Sequence, residues 1–198
     1  MGIKENDMTY SLSWCLYNCP AFLKNFCHTL GWNGAIDDIQ IDLQKHNQED
    51  KGYTDIELLV PGKWGAIVEA KRGYVLPSRD RQLAKYSNRL SRKAPEMNIV
   101  VLSNFNEGYV SKLKGYTDAI GNCGVKVISW ASINKIALDA LKECNNAQKR
   151  LLNDFSSYLK GLVFMSNATS NMVYVVSLNS GTEEGWDISW IDIVQKRS

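Results

Sequence analysis

The chain has no run of about 18 apolar residues, so it offers no helical segment long enough to cross a membrane. Its opening, Met1-Gly2-Ile3-Lys4-Glu5-Asn6-Asp7, is polar and acidic and does not look like a secretion signal. The expectation is a cytoplasmic location and no membrane partner. There is no Cys-x-x-Cys pair. Cys15, Cys19, Cys27, Cys123 and Cys144 are odd in number, which points to reduced, packed thiols rather than disulfides or a thiolate metal site. Gly121 and Gly124 do not make the glycine pattern of a dinucleotide site. Net charge is only +2, so a generic polyanion binder is not indicated. No internal repeat and no low-complexity linker divides the sequence.

What is present is enough to build a core. With 198 residues and 44% hydrophobic content, the chain reads as one domain, 1–198, with a catalytic core over 1–146 and an extension over 147–198. Apolar spacing predicts a helix over Met8 to Leu30, interrupted or restarted at Pro20. Strict alternation predicts a strand over Ile39 to Gln44, followed by a polar loop. Ile56 to Val60 and Trp64 to Lys71 read as strands, and the Pro61-Gly62 pair between them marks a hairpin turn. A helix is expected over Ser78 to Lys93, a strand over Asn98 to Ser103 and a helix over Glu107 to Ile120. A strand over Val125 to Ser129 and helices over Trp130 to Glu143 and Ala147 to Gly161 follow. The alternation gives an α/β fold class. Val173 to Leu178 and Trp186 to Val194 read as a final strand pair, a surface that can cover a sheet edge, form a homodimer contact or touch substrate.

The hairpin carries the chemistry. Side chains alternate along a strand, so Asp55, Glu57 and Leu59 share one face, and Gly65, Ile67, Glu69 and Lys71 share another. If the two faces meet, two carboxylates and an ammonium converge. Mg²⁺ takes one or two carboxylates plus water and phosphate oxygens. Asp55 and Glu69 are the candidate ligands, with the Ala70 carbonyl a third oxygen. Lys71 would orient or deprotonate the attacking water, or stabilise the transition state. An Acid-x-Lys triplet is common by chance, but here it closes the apolar run Ala66-Ile67-Val68, where charged groups are costly without a purpose.

These residues resemble the PD-(D/E)XK nuclease superfamily. Thr54-Asp55 with Glu69-Ala70-Lys71 looks like its signature, with Thr54 where proline is usual, and Gly52-x-x-Asp55 and Gln82-x-x-x-Tyr86 are similar to motifs of RecB-like nuclease domains. The resemblance covers Gly52 to Tyr86. It implies a three-layer α/β/α, restriction-endonuclease-like fold around a central mixed sheet, dependence on Mg²⁺ or Mn²⁺, and hydrolysis of nucleic acid, DNA before RNA. It implies metal binding by Asp55 and Glu69, catalysis by Lys71, and site support or DNA contact by Gln82 and Tyr86. Many members add a glutamate near the first helix as a further metal ligand, a role Glu5 can fill. Some use an upstream histidine, but His28 reads as a packed helix residue and His46 as an exposed strand end. Some hold an iron–sulfur cluster on clustered C-terminal cysteines. No cysteine follows Cys144, so no cluster is expected.

Positive charge gathers beside this site. Residues 71–93 carry eight basic side chains against the single acid Asp80. Arg79, Gln82, Tyr86, Arg89 and Lys93 fall on one helical stripe and suit a phosphate-bearing strand, with a solvated helix face as the bland alternative. Two rival functions share the fold: a nucleic-acid binder that no longer cleaves, and an interaction subunit of a restriction, repair or defence assembly.

Overall fold

The computed structural model describes residues 4–47, 52–105, 107–113 and 115–168. The expected strands at 173–178 and 186–194 lie outside them. Five strands form one sheet in the order β1 (Gln40–Asn47), β2 (Gly52–Val60), β3 (Trp64–Ala70), β4 (Glu96–Ser103), β5 (Cys123–Ser129). The pairings β1–β2 and β2–β3 are antiparallel, while β3–β4 and β4–β5 are parallel, so the sheet is mixed. Six α-helices accompany it among the described residues: α1 (Glu5–Asn18), α2 (Pro20–Thr29), α3 (Ala84–Leu90), α4 (Glu107–Val110), α5 (Trp130–Ala140) and α6 (Asn146–Ala168).

Local chemistry explains most of the boundaries. Asp7 accepts from the Lys4 backbone N–H and closes the start of α1. Pro20 does not kink one long helix; it opens α2 at the position where its missing N–H costs nothing. In the hairpin turn the Lys63 N–H donates to the Val60 carbonyl, with Pro61 fixing the first turn torsion and Gly62 taking φ 70°. Ser129 caps α5 by accepting from the Ser132 N–H.

Alternate residues of the strands feed two separate apolar clusters. Ile56, Leu58, Ala66, Val68, Val100 and Leu102 pack with residues of α1, α2, α5 and α6. Ile67, Ile99, Val101, Val125 and Val127 pack with Leu83, Tyr86 and Leu90. At Gly65 an added Cβ would stand 3.2 Å from a Leu90 side-chain carbon, so the small residue lets α3 approach the sheet closely. Leu152, Phe155 and Leu159 of α6 belong to the first cluster, so the extension begins with a helix of the core.

Two elements differ from expectation. The segment Ser78 to Lys93 is not one α-helix; it starts with a π-helical turn over Arg79–Leu83, in which the Leu83 N–H reaches back to the Ser78 carbonyl. The helix expected over Glu107 to Ile120 is four residues long, and the chain then turns through Gly115 at φ 79°. Among the described residues no helix is long and apolar enough to cross a membrane.

Candidate active site at the ends of β2 and β3

The β2–β3 register pairs Glu57 with Ile67 and Ile56 with Val68, so one further step sets Asp55 beside Glu69. Asp55 Oδ2 accepts from the Ala70 N–H at 2.8 Å, which joins the two strands at the site. Lys71 Nζ lies 2.7 Å from Glu69 Oε1 and 3.0 Å from Glu5 Oε1. Glu5 also accepts from the Arg72 N–H at 3.0 Å. Trp130 Nε1 donates to the Lys71 carbonyl at 2.9 Å, and the Lys71 N–H donates to the Leu102 carbonyl. The Glu-x-Lys segment is therefore fixed by α1, α5 and β4 together.

Glu69 is buried and held from the other side. Gln82 Nε2 donates to Glu69 Oε1 at 2.6 Å and Tyr86 Oη donates to Glu69 Oε2 at 2.5 Å. The Gln82 amide also donates to Tyr86 Oη. The π-helical turn delivers Gln82 to this position, and such turns are frequent at functional sites. A carboxylate has about four acceptor sites. The bonds from Gln82, Tyr86 and Lys71 leave Glu69 room for one more partner.

Crowding shows in the protonation behaviour. Burial, then the charge of Glu69, pushes the Asp55 carboxyl up to about 6. Burial works against the charge on Lys71, but the bonds and charges of Glu69 and Glu5 outweigh it and raise its pKa, so it stands as an ammonium. Burial and Glu69 raise the Tyr86 hydroxyl well above its usual range, which keeps it a neutral donor.

Other expected site residues have different surroundings. Arg89 was expected in a row facing a phosphate backbone. Its side chain is 4% exposed and its Nε lies 2.6 Å from Glu57 Oε1, because Glu57 shares the Asp55 face of β2 and requires a cation. Lys93 Nζ lies 2.8 Å from the same carboxylate. Arg79 donates to the carbonyls of Tyr116, Asp118 and Ala119, and so holds the turn that follows Gly115. The stripe is thus largely inward-facing. His28 is exposed on α2 rather than packed. His46 is exposed, and its ring lies 4.7 Å from that of Tyr53. All five cysteines are buried and unbridged.

One neighbour escaped the sequence reading. The β1–β2 ladder pairs Leu43 with Ile56 and Lys45 with Thr54 and skips the position opposite Asp55. That position is Gln44, which takes φ 47° and accepts from Tyr10 Oη at 2.8 Å. A strained residue beside a candidate site is a functional pointer. Glutamine carries no sequence signal for such a torsion.

Among the described residues, no group of three or more His, Cys, Asp or Glu side chains stands ready to hold a metal ion. Glu5 is turned onto Lys71 and Arg72, which leaves Asp55 and Glu69 as the carboxylate pair. Compared with known proteins, the chain matches no family model, no curated protein and no solved structure. The chemistry of the site is therefore read from its geometry.

Proposed function

We propose that the chain is a metal-dependent phosphodiesterase of the PD-(D/E)XK type, acting on nucleic acid and on DNA first. One observation carries the reading. Glu69 and Glu5 share the single ammonium of Lys71, and Asp55 lies beside Glu69 across the β2–β3 pair, bonded to the Ala70 N–H. That imbalance suits a divalent cation, and the raised pKa of Asp55 agrees with it. The two apolar clusters served by alternate strand residues suit the three-layer, restriction-endonuclease-like arrangement.

Asp55 and Glu69 would hold Mg²⁺ or Mn²⁺, with the Ala70 carbonyl as a third oxygen and water or phosphate completing the shell. The ion would lower the pKa of bound water and offset charge on the phosphate. The rest falls to the chain. Lys71 stays protonated, so it orients the attacking water and faces the developing negative charge rather than removing a proton. Glu5 anchors Lys71 and the Arg72 backbone, which suits a positioning role rather than that of a metal ligand. Gln82 and Tyr86 fix the rotamer of Glu69. Arg79 and Arg89 are engaged by carbonyls 116, 118 and 119 and by Glu57, which gives them structural roles.

The test is cleavage of linear, closed-circular and single-stranded DNA, and of RNA, with Mg²⁺, Mn²⁺ or chelator. Asp55→Ala, Glu69→Ala and Lys71→Ala should each abolish cleavage while circular dichroism shows a retained fold. A folded variant that cuts near the wild-type rate removes that residue from the mechanism. Mn²⁺ at a hundred times its dissociation constant should stabilise the wild type by about 2.7 kcal/mol, because it binds the native state alone. Asp55→Asn should lose most of that gain.

A further inference from the structure

A small aromatic surface lies next to the site and plays no part in the mechanism above. The chain leaves β3 through Lys71 and Arg72 and turns at Gly73, which takes φ 78°. The Asn104 N–H, just past β4, donates to the Gly73 carbonyl at 2.8 Å and ties the two exit loops together. Each of these bonded residues is followed by an aromatic one. The rings of Tyr74 and Phe105 meet edge to face at 5.2 Å, and Phe105 stacks on Tyr109 at 4.7 Å with only 4° between the planes.

The three rings are buried to different depths. Phe105 is half-buried and packs against the second apolar cluster. Tyr74 and Tyr109 remain 42% and 38% exposed. Phe105 acts as a floor that presents two tyrosine rings outward. Along the chain, Tyr74 stands no more than about 11 Å from Lys71. Arg72, beside it, is exposed and adds a positive charge where the chain leaves β3.

We infer that Tyr74 and Tyr109, seated on Phe105, form a stacking platform for an unpaired nucleobase of the substrate strand whose neighbouring phosphate lies at Asp55, Glu69 and Lys71. The inference rests on the proposed nuclease reading and deepens it. A stacking platform selects single-stranded or frayed nucleic acid, because a base inside a duplex has no open face to offer. Every base has a π-face, so the platform imposes little sequence preference.

The test separates the platform from the catalysis. The full chain carrying Asp55→Asn, with Ca²⁺ present, is titrated with a single-stranded oligonucleotide containing 2-aminopurine. The blunt duplex of that oligonucleotide and an abasic strand of the same length are titrated in parallel. The base-bearing single strand should bind at least about ten times more tightly than the abasic strand, with 2-aminopurine fluorescence quenched on binding. Tyr74→Ala and Tyr109→Ala should each weaken it roughly 5- to 100-fold and relieve the quenching, while the salt dependence stays the same because no phosphate contact is lost. Tyr74→Phe keeps the ring and should bind like the parent. Unchanged melting temperatures exclude misfolding of these surface variants.

Equal binding of abasic and base-bearing strands overturns the platform. So does tighter binding of the duplex, or parent-like affinity of both alanine variants. Wild-type cleavage with Mg²⁺, run on the same strands, tells the two failures apart. Cleavage with insensitive alanine variants leaves the nuclease and removes the platform. Stacking without cleavage leaves the platform and removes the nuclease.

Discussion

Asp55 and Glu57 sit two residues apart on the same face of β2, and they have opposite surroundings. Glu57 has a side chain only 2% exposed, yet Arg89, Lys93 and Lys45 all point at it. Asp55 is less deeply buried, and the charge that weighs most on it is that of another carboxylate, Glu69. The first cluster answers its own charge and the second does not. The difference teaches that burial alone does not mark a functional acid. The sequence argument that a carboxylate on a buried strand needs a purpose applies more strongly to Glu57, whose purpose is met by an arginine. What distinguishes Asp55 is the shortage of cations around it.

Removing each acid gives the sharpest contrast. Glu57→Ala strands the Arg89 guanidinium in the interior, and removal of one partner from a buried pair costs about 3–5 kcal/mol. Asp55→Asn in the absence of metal relieves the crowding with Glu69 and should leave stability equal or higher. Urea denaturation in chelator measures both. Similar losses for the two variants would erase the distinction drawn between them.

The pH dependence of the metal-free protein gives the next largest effect. The folded Asp55 binds its proton more tightly than the unfolded chain does, with a pKa of about 6 against 3.8. The stabilisation from that proton is fully present below 3.8 and is lost as pH rises through about 6. At about 1.4 kcal/mol per pKa unit, the loss amounts to as much as about 3 kcal/mol. Unfolding free energies of wild type and Asp55→Asn should converge at low pH and separate by this amount near neutrality, with the wild type the weaker. Parallel curves would mean that Asp55 is not strained in this way.

The smallest effect concerns the support of Glu69. Tyr86→Phe keeps the ring in the core and removes one donor to a buried carboxylate, a loss of about 1–3 kcal/mol. The turnover number of the variant should fall about tenfold or more with little change in KM. A change confined to KM would move Tyr86 from site support to substrate contact.

The hairpin and the meeting of Asp55, Glu69 and Lys71 were legible because two-residue periodicity and a Pro-Gly turn fix which side chains share a face. Gln82 and Tyr86 were legible as a pair, since four residues of helix bring them together. The failures have equally plain causes. Helical spacing put Arg89 on a stripe but did not say which way the stripe points, and Glu57 on a neighbouring strand decides that. The apolar spacing after Glu107 suggested a long helix, but Gly115 turns the chain and Arg79 holds the turn. The role of Glu5 depended on which cation it would meet across 66 residues of sequence, and no local pattern carries that information.

The π-helical turn sets the terms on which this chain could be made sturdier. Wide turns bond less well than an α-helix, so deleting one residue from Arg79–Leu83 looks like a route to a tighter, more stable helix. Each residue removed rotates the upstream part by about 100° against the downstream part. With α3 held on the sheet, Gln82 and Tyr86 would keep their aim at Glu69, while Arg79 would swing away from the carbonyls of residues 116, 118 and 119. In an ordinary helix Arg79 and Gln82, three residues apart, would share a face. The extra residue in the turn uncouples them, so that one short segment holds Glu69 with one side and clamps a distant turn with the other. Engineering for thermal stability at this point would therefore exchange that double service for helix length.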